Sequence, residues 1–120
     1  LTKVYKQDVI ISESVYREVS KALPCRLIDK VQVLGKTLTQ RIFTVKKQLS
    51  EQENRAWKYH HSGLKLYYKR SFAEAAKYFQ QASKLAPGDV VSAMYFDRCK
   101  AYLKSPPPAR WTGVHVLTEK

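Results

Sequence analysis

The decisive stretch is residues 56–89, AWKYHHSGLKLYYKRSFAEAAKYFQQASKLAPGD, in which two apolar stripes at helical spacing are separated by a short polar break. Apolar residues that recur every three or four positions lie on one face of a helix. Pro87-Gly88 then marks the end of the second helix. The stretch therefore predicts a helical hairpin. The first stripe contains Tyr59, Gly63 and Leu66, and the second contains Phe72, Ala75, Ala76, Phe79, Ala82 and Leu85.

Two helix starts are marked by a serine followed three positions later by glutamate. Ser50 precedes Glu53, and Ser71 precedes Glu74. In such a capping box each side chain bonds the backbone N–H of the other residue. These pairs predict where the two helices of the hairpin begin.

The same stretch resembles one tetratricopeptide repeat, whose pattern places aromatic, small, Ala and Pro residues at fixed offsets. Leu66 stands where the repeat usually has Tyr. One such hairpin cannot bury its apolar face alone. We expect residues 90–104 to cap it as a third helix, through Val91, Tyr95, Cys99 and Tyr102. The matching positions are Tyr59, Gly63, Ala75, Phe79, Ala82 and Pro87.

Residues 1–47 have a different pattern, which predicts a strand, a helix and a β-hairpin. Residues 8–12 form a short apolar run typical of a strand. Residues 25–34 alternate with period two, and residues 40–46 predict the returning strand after a turn at Gly35-Lys36. Ser12 or Ser14 could cap the helix between them. Its expected inner face consists of Val15, Tyr16, Val19, Ala22 and Leu23.

The order of these elements resembles the C-terminal end of a class III adenylate/guanylate cyclase catalytic domain. The similar stretches are LTKVYKQDVIISESVYREV, CRLIDKVQVLGK and RIFTV. The first corresponds to a core strand ending in Ile-Ser with its helix, and the others to a hairpin and a closing strand. The hairpin pattern is carried by Arg26, Leu27, Val31, Val33, Gly35 and Lys36.

This resemblance implies a longer protein that makes cyclic nucleotide from a nucleoside triphosphate with two divalent metals, Mg or Mn. In the family the metal carboxylates lie upstream of this segment, and Asp8 and Asp29 do not match them. The hairpin lysine that contacts phosphate in the family is Leu34 here. Lys36 is the nearest candidate to replace it, the alternative being an ordinary turn lysine. We therefore expect no catalytic residues and no bound cofactor in this segment, which should be inactive alone.

The end of the chain is expected to dock. Its Trp-x-Gly-Val and Leu-Thr-x-Lys segments resemble the ending of bacterial cyclases with tetratricopeptide-like extensions. Trp111, Val114 and Val116 are apolar residues that a solvated tail would not need. An aromatic groove on the first repeat helix could receive them, or the cyclase remnant could cover it, or a partner peptide or second subunit could fill it. The groove residues are Trp57, His60, Leu64, Tyr67 and Tyr68.

Charge and composition limit the remaining function classes. The formal net charge of +12 is spread along the chain, so nucleic-acid binding rests on net charge alone and is not expected. Lys58, Lys65 and Lys69 share a helix face, which is either a solvated helix back or a surface for an acidic partner. No long apolar run predicts a membrane span, and neither His60-His61 nor the two cysteines form a metal motif.

The sequence therefore predicts an α+β chain with three parts: residues 1–47 from the cyclase domain, residues 48–104 tetratricopeptide-like, and residues 105–120 a Pro-rich exit and docking tail. The segment is expected to serve packing, dimerisation or protein interaction in a cytoplasmic bacterial signalling cyclase. Its partners would be the upstream cyclase domain and a second copy, and any membrane anchor would precede residue 1. The alternative is a stand-alone helical adaptor that binds an acidic peptide. The sequence does not separate ATP from GTP specificity.

Overall fold

The computed structural model describes residues 2–33, 35 and 38–117, and they divide between two compact units. The helical unit comprises residues 49–112, and the sheet unit comprises the described parts of residues 1–48 and 113–120. The mixed α+β composition expected from the sequence is confirmed. The elements in chain order are α1 (Thr2–Tyr5), β1 (Ile11–Ser12), α2 (Glu13–Val19), β2 (Cys25–Val33), β3 (Thr39–Val45), α3 (Glu51–Tyr68), α4 (Phe72–Leu85), α5 (Val90–Lys104) and β4 (His115–Leu117).

In the helical unit, α3 packs on α4 and α4 packs on α5. Ser50 caps α3 with the full capping box, since its hydroxyl accepts from the Glu53 N–H and the Glu53 carboxylate accepts from the Ser50 N–H. The second expected capping box is wrong. Helix α4 begins after Ser71, but the Ser71 side chain makes no cap hydrogen bond. Its ψ of 65° departs from the extended backbone that an N-cap usually has.

The core of the helical unit follows the apolar stripes of the sequence. On α4, the small residues Ala75 and Ala82 are fully buried on either side of Phe79. Phe79 stacks on Tyr95 of α5, with ring centroids 5.1 Å apart and planes 16° from parallel. Residues from all three helices are thereby held in one core. The buried apolar residues are Ala56, Trp57, Leu64, Tyr67, Phe72, Ala75, Phe79, Ala82, Val91, Tyr95 and Cys99.

The described part of the sheet unit contains four strands in the order β1-β3-β2-β4. Strands β2 and β3 form the expected antiparallel hairpin, and β1 lies antiparallel to β3. Strand β4 pairs in parallel with β2, placing His115 opposite Val31 and Leu117 opposite Val33. The end of the chain thus forms one edge of a sheet whose other strands precede residue 46.

Two details of the sheet unit differ from the sequence prediction. The first strand covers only Ile11–Ser12 instead of residues 8–12, although the Thr44 hydroxyl still donates to the Val9 carbonyl (2.7 Å). The alternation of β2 is broken by a bulge, since Leu27 lies opposite Phe43 and Asp29 lies opposite Ile42. Because of the extra residue, the alternation of inward-facing and outward-facing residues differs on the two sides of the bulge.

Helix α2 buries less than its sequence pattern predicts. Tyr16 stacks on Phe43, with ring centroids 3.9 Å apart and planes within 5°, and Val19 is half-buried. Val15 is 44% exposed, and Ala22 and Leu23 are exposed beyond the helix end at Val19. The expected inner face is therefore only partly used. None of the helices in the described part of the chain is long and apolar enough to cross a membrane.

Candidate functional site

The residues predicted to line a groove on α3 are largely buried. Trp57, Leu64 and Tyr67 are 6%, 4% and 1% exposed, and His60 is fully buried; Tyr68 is half-buried. Tyr67 lies edge-on to Tyr95 of α5, with centroids 5.0 Å apart. In this fold the side chains therefore belong to the interior of the protein and do not form an open groove.

His60 is held in a chain of hydrogen bonds to the start of α5. Asp89 is the N-cap of α5 and accepts from the Val91 N–H (3.2 Å). The Ser92 hydroxyl donates to the Asp89 carboxylate (2.8 Å), and His60 Nδ1 lies 3.2 Å from the Ser92 oxygen. Because the single hydroxyl proton of Ser92 points to Asp89, His60 Nδ1 must be the donor to Ser92. His60 thus links α3 to the cap of α5.

Trp111 of the tail packs in an aromatic cluster of the helical unit. Its ring centroid lies 5.3 Å from that of Tyr67, 5.6 Å from that of Phe72 and 5.5 Å from that of Tyr102, at angles near the edge-to-face geometry that aromatic pairs prefer. The segment after the Pro-rich exit is therefore attached to the hairpin and to α5 by one large side chain.

Arg70, which the sequence analysis did not single out, fixes the same segment. Its guanidinium donates to the carbonyl oxygens of Pro107 (2.6 Å) and Pro108 (3.0 Å), and its Cζ lies 5.7 Å from the Trp111 ring centroid. Arg70 occupies the left-handed region, with φ +67°. The Ser71 N–H bonds the Leu66 carbonyl and the Arg70 N–H bonds the Tyr67 carbonyl, which is a Schellman motif. The position that ends α3 thus also clamps the tail.

The rest of the predicted tail lies in the sheet unit. Val114 is half-buried and the Val116 side chain is 46% exposed. Leu117, which the prediction omitted, is 3% exposed and is the buried residue of β4. Strands alternate their side chains between faces, which explains why adjacent residues differ so strongly. Lys36, the phosphate candidate, lies outside the described residues, so that assignment stays a prediction.

A polar pocket of about 510 Å³ lies on the sheet unit. Arg41 donates from Nε to Glu13 Oε1 (3.0 Å) and also from a terminal nitrogen, and Arg17 donates to Glu13 Oε2 (3.0 Å). The hydrogen bond from Arg41, with the charges of both arginines, lowers the pKa of Glu13 from 4.5 to about 2. The Arg41 guanidinium, which a bound anion would need, is therefore already paired with the Glu13 carboxylate. The lining residues are Ser12, Glu13, Ser14, Lys30, Thr39, Gln40 and Arg41.

The acidic residues that the structure describes in the sheet unit do not form a metal site. Asp29 is fully buried, and its carboxylate accepts from the Tyr5 hydroxyl (2.7 Å) and the Lys30 N–H (2.9 Å). Asp8 is exposed in a bend outside the strands. Throughout the described part of the chain, no three His, Cys, Asp or Glu residues come together in a way that could hold a metal ion. The two-metal chemistry implied by the cyclase resemblance does not fit the carboxylates described here.

A second pocket, of about 270 Å³, lies on the helical unit between α3 and α4. Two cations, Arg55 and Lys58, line it together with Ser62. Tyr59 and Tyr78 form an aromatic pair next to them, with ring centroids 6.2 Å apart. This pocket combines positive charge with apolar surface. The sequence analysis noted the basic face of α3 but missed the pocket, because Tyr78 comes from the next helix.

The two cysteines are free thiols in different surroundings. Cys99 is fully buried in α5, and burial raises its pKa to about 12. Cys25 is half-buried at the start of β2, and burial raises its pKa as well. Neither thiol is in a setting that would favour the thiolate that nucleophilic catalysis requires.

Comparison with known proteins gives a distant relationship. The chain is similar to "Adenylate cyclase, terminal-differentiation specific" of Dictyostelium discoideum, with 25% identity over 114 residues. The similarity covers 88% of this chain and 5% of the length of that protein. No family model matches the chain, and no solved structure matches it. The similarity supports a cyclase-related segment and covers a small part of the relative.

Proposed function

We propose that this chain is the C-terminal part of a class III nucleotidyl cyclase, ending its catalytic domain and adding a tetratricopeptide-like helical extension. The complete protein would convert ATP or GTP into a cyclic nucleotide and pyrophosphate, with Mg or Mn held by carboxylates upstream of this segment. The segment itself would hold and cover the last catalytic strands. The phosphoryl-transfer chemistry, in which a phosphorus–oxygen bond forms as the bond to pyrophosphate breaks, would take place on residues that this chain does not supply.

The observation that carries this proposal is the parallel pairing of β4 with β2. The cyclase-like hairpin β2–β3 is followed by the helical unit, and the chain then returns to the same sheet. An uncovered strand presents unpaired N–H and C=O groups that are costly or prone to aggregation. Strand β4 covers the outer edge of β2. The extension would therefore complete the edge of the catalytic sheet, which is a packing role.

The similarity to an adenylate cyclase supports the same proposal, because it extends over 88% of the chain and so over hairpin and helices together. The tetratricopeptide-like assignment of the helices is supported by close packing at one position. A Cβ at Gly63 would lie 2.9 Å from the Phe79 ring, so the small residue of the repeat pattern faces its aromatic residue. The bacterial origin, the cytoplasmic location and the choice of nucleotide stay predictions.

A direct test separates the segment from the complete protein. The purified 120-residue chain, given ATP or GTP with Mn²⁺, should release no cyclic nucleotide, because the metal carboxylates would be absent. The complete protein should produce cyclic AMP or cyclic GMP under the same conditions. Cyclic nucleotide from the short chain would contradict the expected inactivity, and an inactive complete protein would contradict the cyclase proposal.

The role of β4 can be tested in the complete protein with a matched pair of substitutions. Leu117→Thr removes the buried side chain of the strand, whereas Val116→Thr changes an exposed one. Loss of a buried leucine costs about 2 kcal/mol or more, so Leu117→Thr should lower both activity and thermal midpoint, and Val116→Thr should change neither much. Equal effects of the two substitutions would show that covering the β2 edge does not matter.

A role of the segment in forming a homodimer can be tested by measuring its oligomeric state. Class III cyclases place their sites at a subunit interface, as the resemblance implies, and Val9, Val15 and Leu23 are exposed apolar residues of the sheet unit. Light scattering of the purified chain at several concentrations should show a dimer if these surfaces pair between copies. A monomer at all concentrations would remove dimer support from the role of the segment.

A further inference from the structure

Helix α3 and its C-cap residue carry a row of positive charges along one exposed face. The row consists of Arg55, Lys58, Lys65 and the C-cap Lys69, all of them exposed, and its spacing of three, seven and four residues keeps it on one side of the helix. We call these four residues the basic stripe. The pocket of about 270 Å³ lies at its N-terminal end, where Arg55 and Lys58 are among the lining residues.

Within the part of the chain that the structure describes, none of the four cations of the basic stripe takes part in an ion pair. Like charges three or four residues apart destabilise a helix. Two such pairs, Arg55 with Lys58 and Lys65 with Lys69, lie in this row. A negatively charged ligand would remove that repulsion.

The pocket adds an apolar contact at one end of the row. Tyr78 is 38% exposed, and its ring is tilted 43° from that of the half-buried Tyr59. The two rings pack on each other. Proteins that bind single-stranded nucleic acids instead present exposed aromatic rings on which the bases stack. An aliphatic side chain could instead lie against the tyrosines. The pocket and the row together thus favour a ligand that carries several carboxylates and an apolar side chain.

We propose that the basic stripe and its pocket bind an acidic segment of a partner polypeptide, whose carboxylates pair with the four cations while one apolar side chain lies against Tyr59 and Tyr78. The stripe is about 21 Å long at 1.5 Å per helical residue. An extended peptide of about six or seven residues spans that length. This inference does not depend on the cyclase proposal, because α3 presents the stripe whatever precedes the segment.

The test uses fluorescence anisotropy with the purified chain and a fluorescein-labelled peptide of alternating Glu and Leu, about seven residues long. The peptide should bind saturably and more weakly as salt is raised, because exposed charge pairs are screened. A peptide with Gln in place of Glu should not bind. The double variant Arg55→Gln/Lys58→Gln should raise the Kd roughly two- to thirtyfold, from the loss of two exposed ion pairs.

A matched control removes the same charge elsewhere on the helical unit. Lys77 and Lys84 are exposed on α4 and lie outside the pocket, so Lys77→Gln/Lys84→Gln should change the Kd less than about twofold through long-range charge alone. Circular dichroism must show both double variants folded. Tyr78→Ala should weaken binding to a similar extent at low and high salt, because its contribution is apolar.

Three results would overturn the proposal. The first is the absence of saturable binding of the Glu-Leu peptide to the unmodified chain. The second is equal weakening by the pocket variant and the α4 control, which would show net charge to be responsible. The third is tighter binding of a single-stranded DNA oligonucleotide of the same charge, which would assign the stripe to nucleic acid.

Discussion

Gly63 of α3 faces the ring of Phe79 of α4 so closely that a Cβ at Gly63 would lie 2.9 Å from two ring carbons. Phe79 cannot easily move away, because it is fully buried and stacks on Tyr95. The distance between the first two helices of the unit therefore depends on the absence of a side chain at one position.

Gly63→Ala should destabilise the chain despite the better helix propensity of alanine. Overpacking a dense core costs about 1–3 kcal/mol, and the gain of alanine over glycine within a helix is at most about 1 kcal/mol. We expect a net loss of about 1 kcal/mol in the free energy of unfolding, measured by urea denaturation. Gly88→Ala is the control, because a Cβ there meets no atom within 4 Å. A stabilised Gly63→Ala variant would show that the helices can separate freely.

Arg70 allows its backbone and side-chain roles to be separated by two substitutions. Arg70→Gly keeps the left-handed conformation at φ +67° without strain but loses both hydrogen bonds to the prolines. Arg70→Ala loses the bonds and keeps the strain. We expect alanine to lower the free energy of unfolding by about 1 kcal/mol, from the lost hydrogen bonds alone. Glycine should be about 1 kcal/mol more stable than alanine, because it also relieves the strain that arginine and alanine share.

The effect of the Arg70 substitutions on the tail can be measured by the fluorescence of Trp111. In a Trp57→Phe background, acrylamide quenching reports on Trp111 alone, since the chain contains two tryptophans. Both Arg70 variants should raise the quenching, because the clamp on Pro107 and Pro108 is lost. Unchanged quenching would mean that the aromatic cluster holds Trp111 without the arginine.

Acid should weaken the link between α2 and β3. Because Arg41 lowers the pKa of Glu13 from 4.5 to about 2 in the folded chain, the ionised carboxylate favours folding above pH 4.5. This contribution is lost as the pH falls from 4.5 through about 2. Glu13→Gln should therefore reduce the dependence of stability on pH in this window. Glu18→Gln, on the same helix and outside the Arg41 pair, is the control; equal pH profiles for both variants would contradict the assignment.

Cys25 and Cys99 should differ in reactivity because they differ in burial. At pH 8 a thiol reagent should modify Cys25 first, and Cys99 only as fast as the helical unit opens. Burial raises the pKa of Cys99 from 9.0 to about 12, so its contribution to stability is complete below pH 9 and is lost as the pH rises towards 12. Cys25→Ser should leave only the slow reaction. Rapid modification of both residues would show that α5 is not packed as described.

The helices were predictable because their signals are local. The apolar stripe of α4, the capping box of Ser50 and the stop near Pro87 each act within a few residues, where steric and hydrogen-bond preferences decide the backbone. The cap at Ser71 failed because α3 ends only a few residues earlier and its Schellman motif determines the backbone there. What covers the aromatic face of α3 was not predictable, since periodicity shows that a face is apolar without showing which residues pack on it.

By itself, the sequence determined the α+β content, the three helices of the helical unit, the hairpin and the basic face of α3, because these depend on spacing along the chain. Only the tertiary structure decided that Leu117 pairs beside β2, that Arg70 clamps Pro107 and Pro108, and that Tyr78 completes a pocket on α3. These relationships join residues distant in sequence. Their formation depends on packing and loop closure, which no local pattern records.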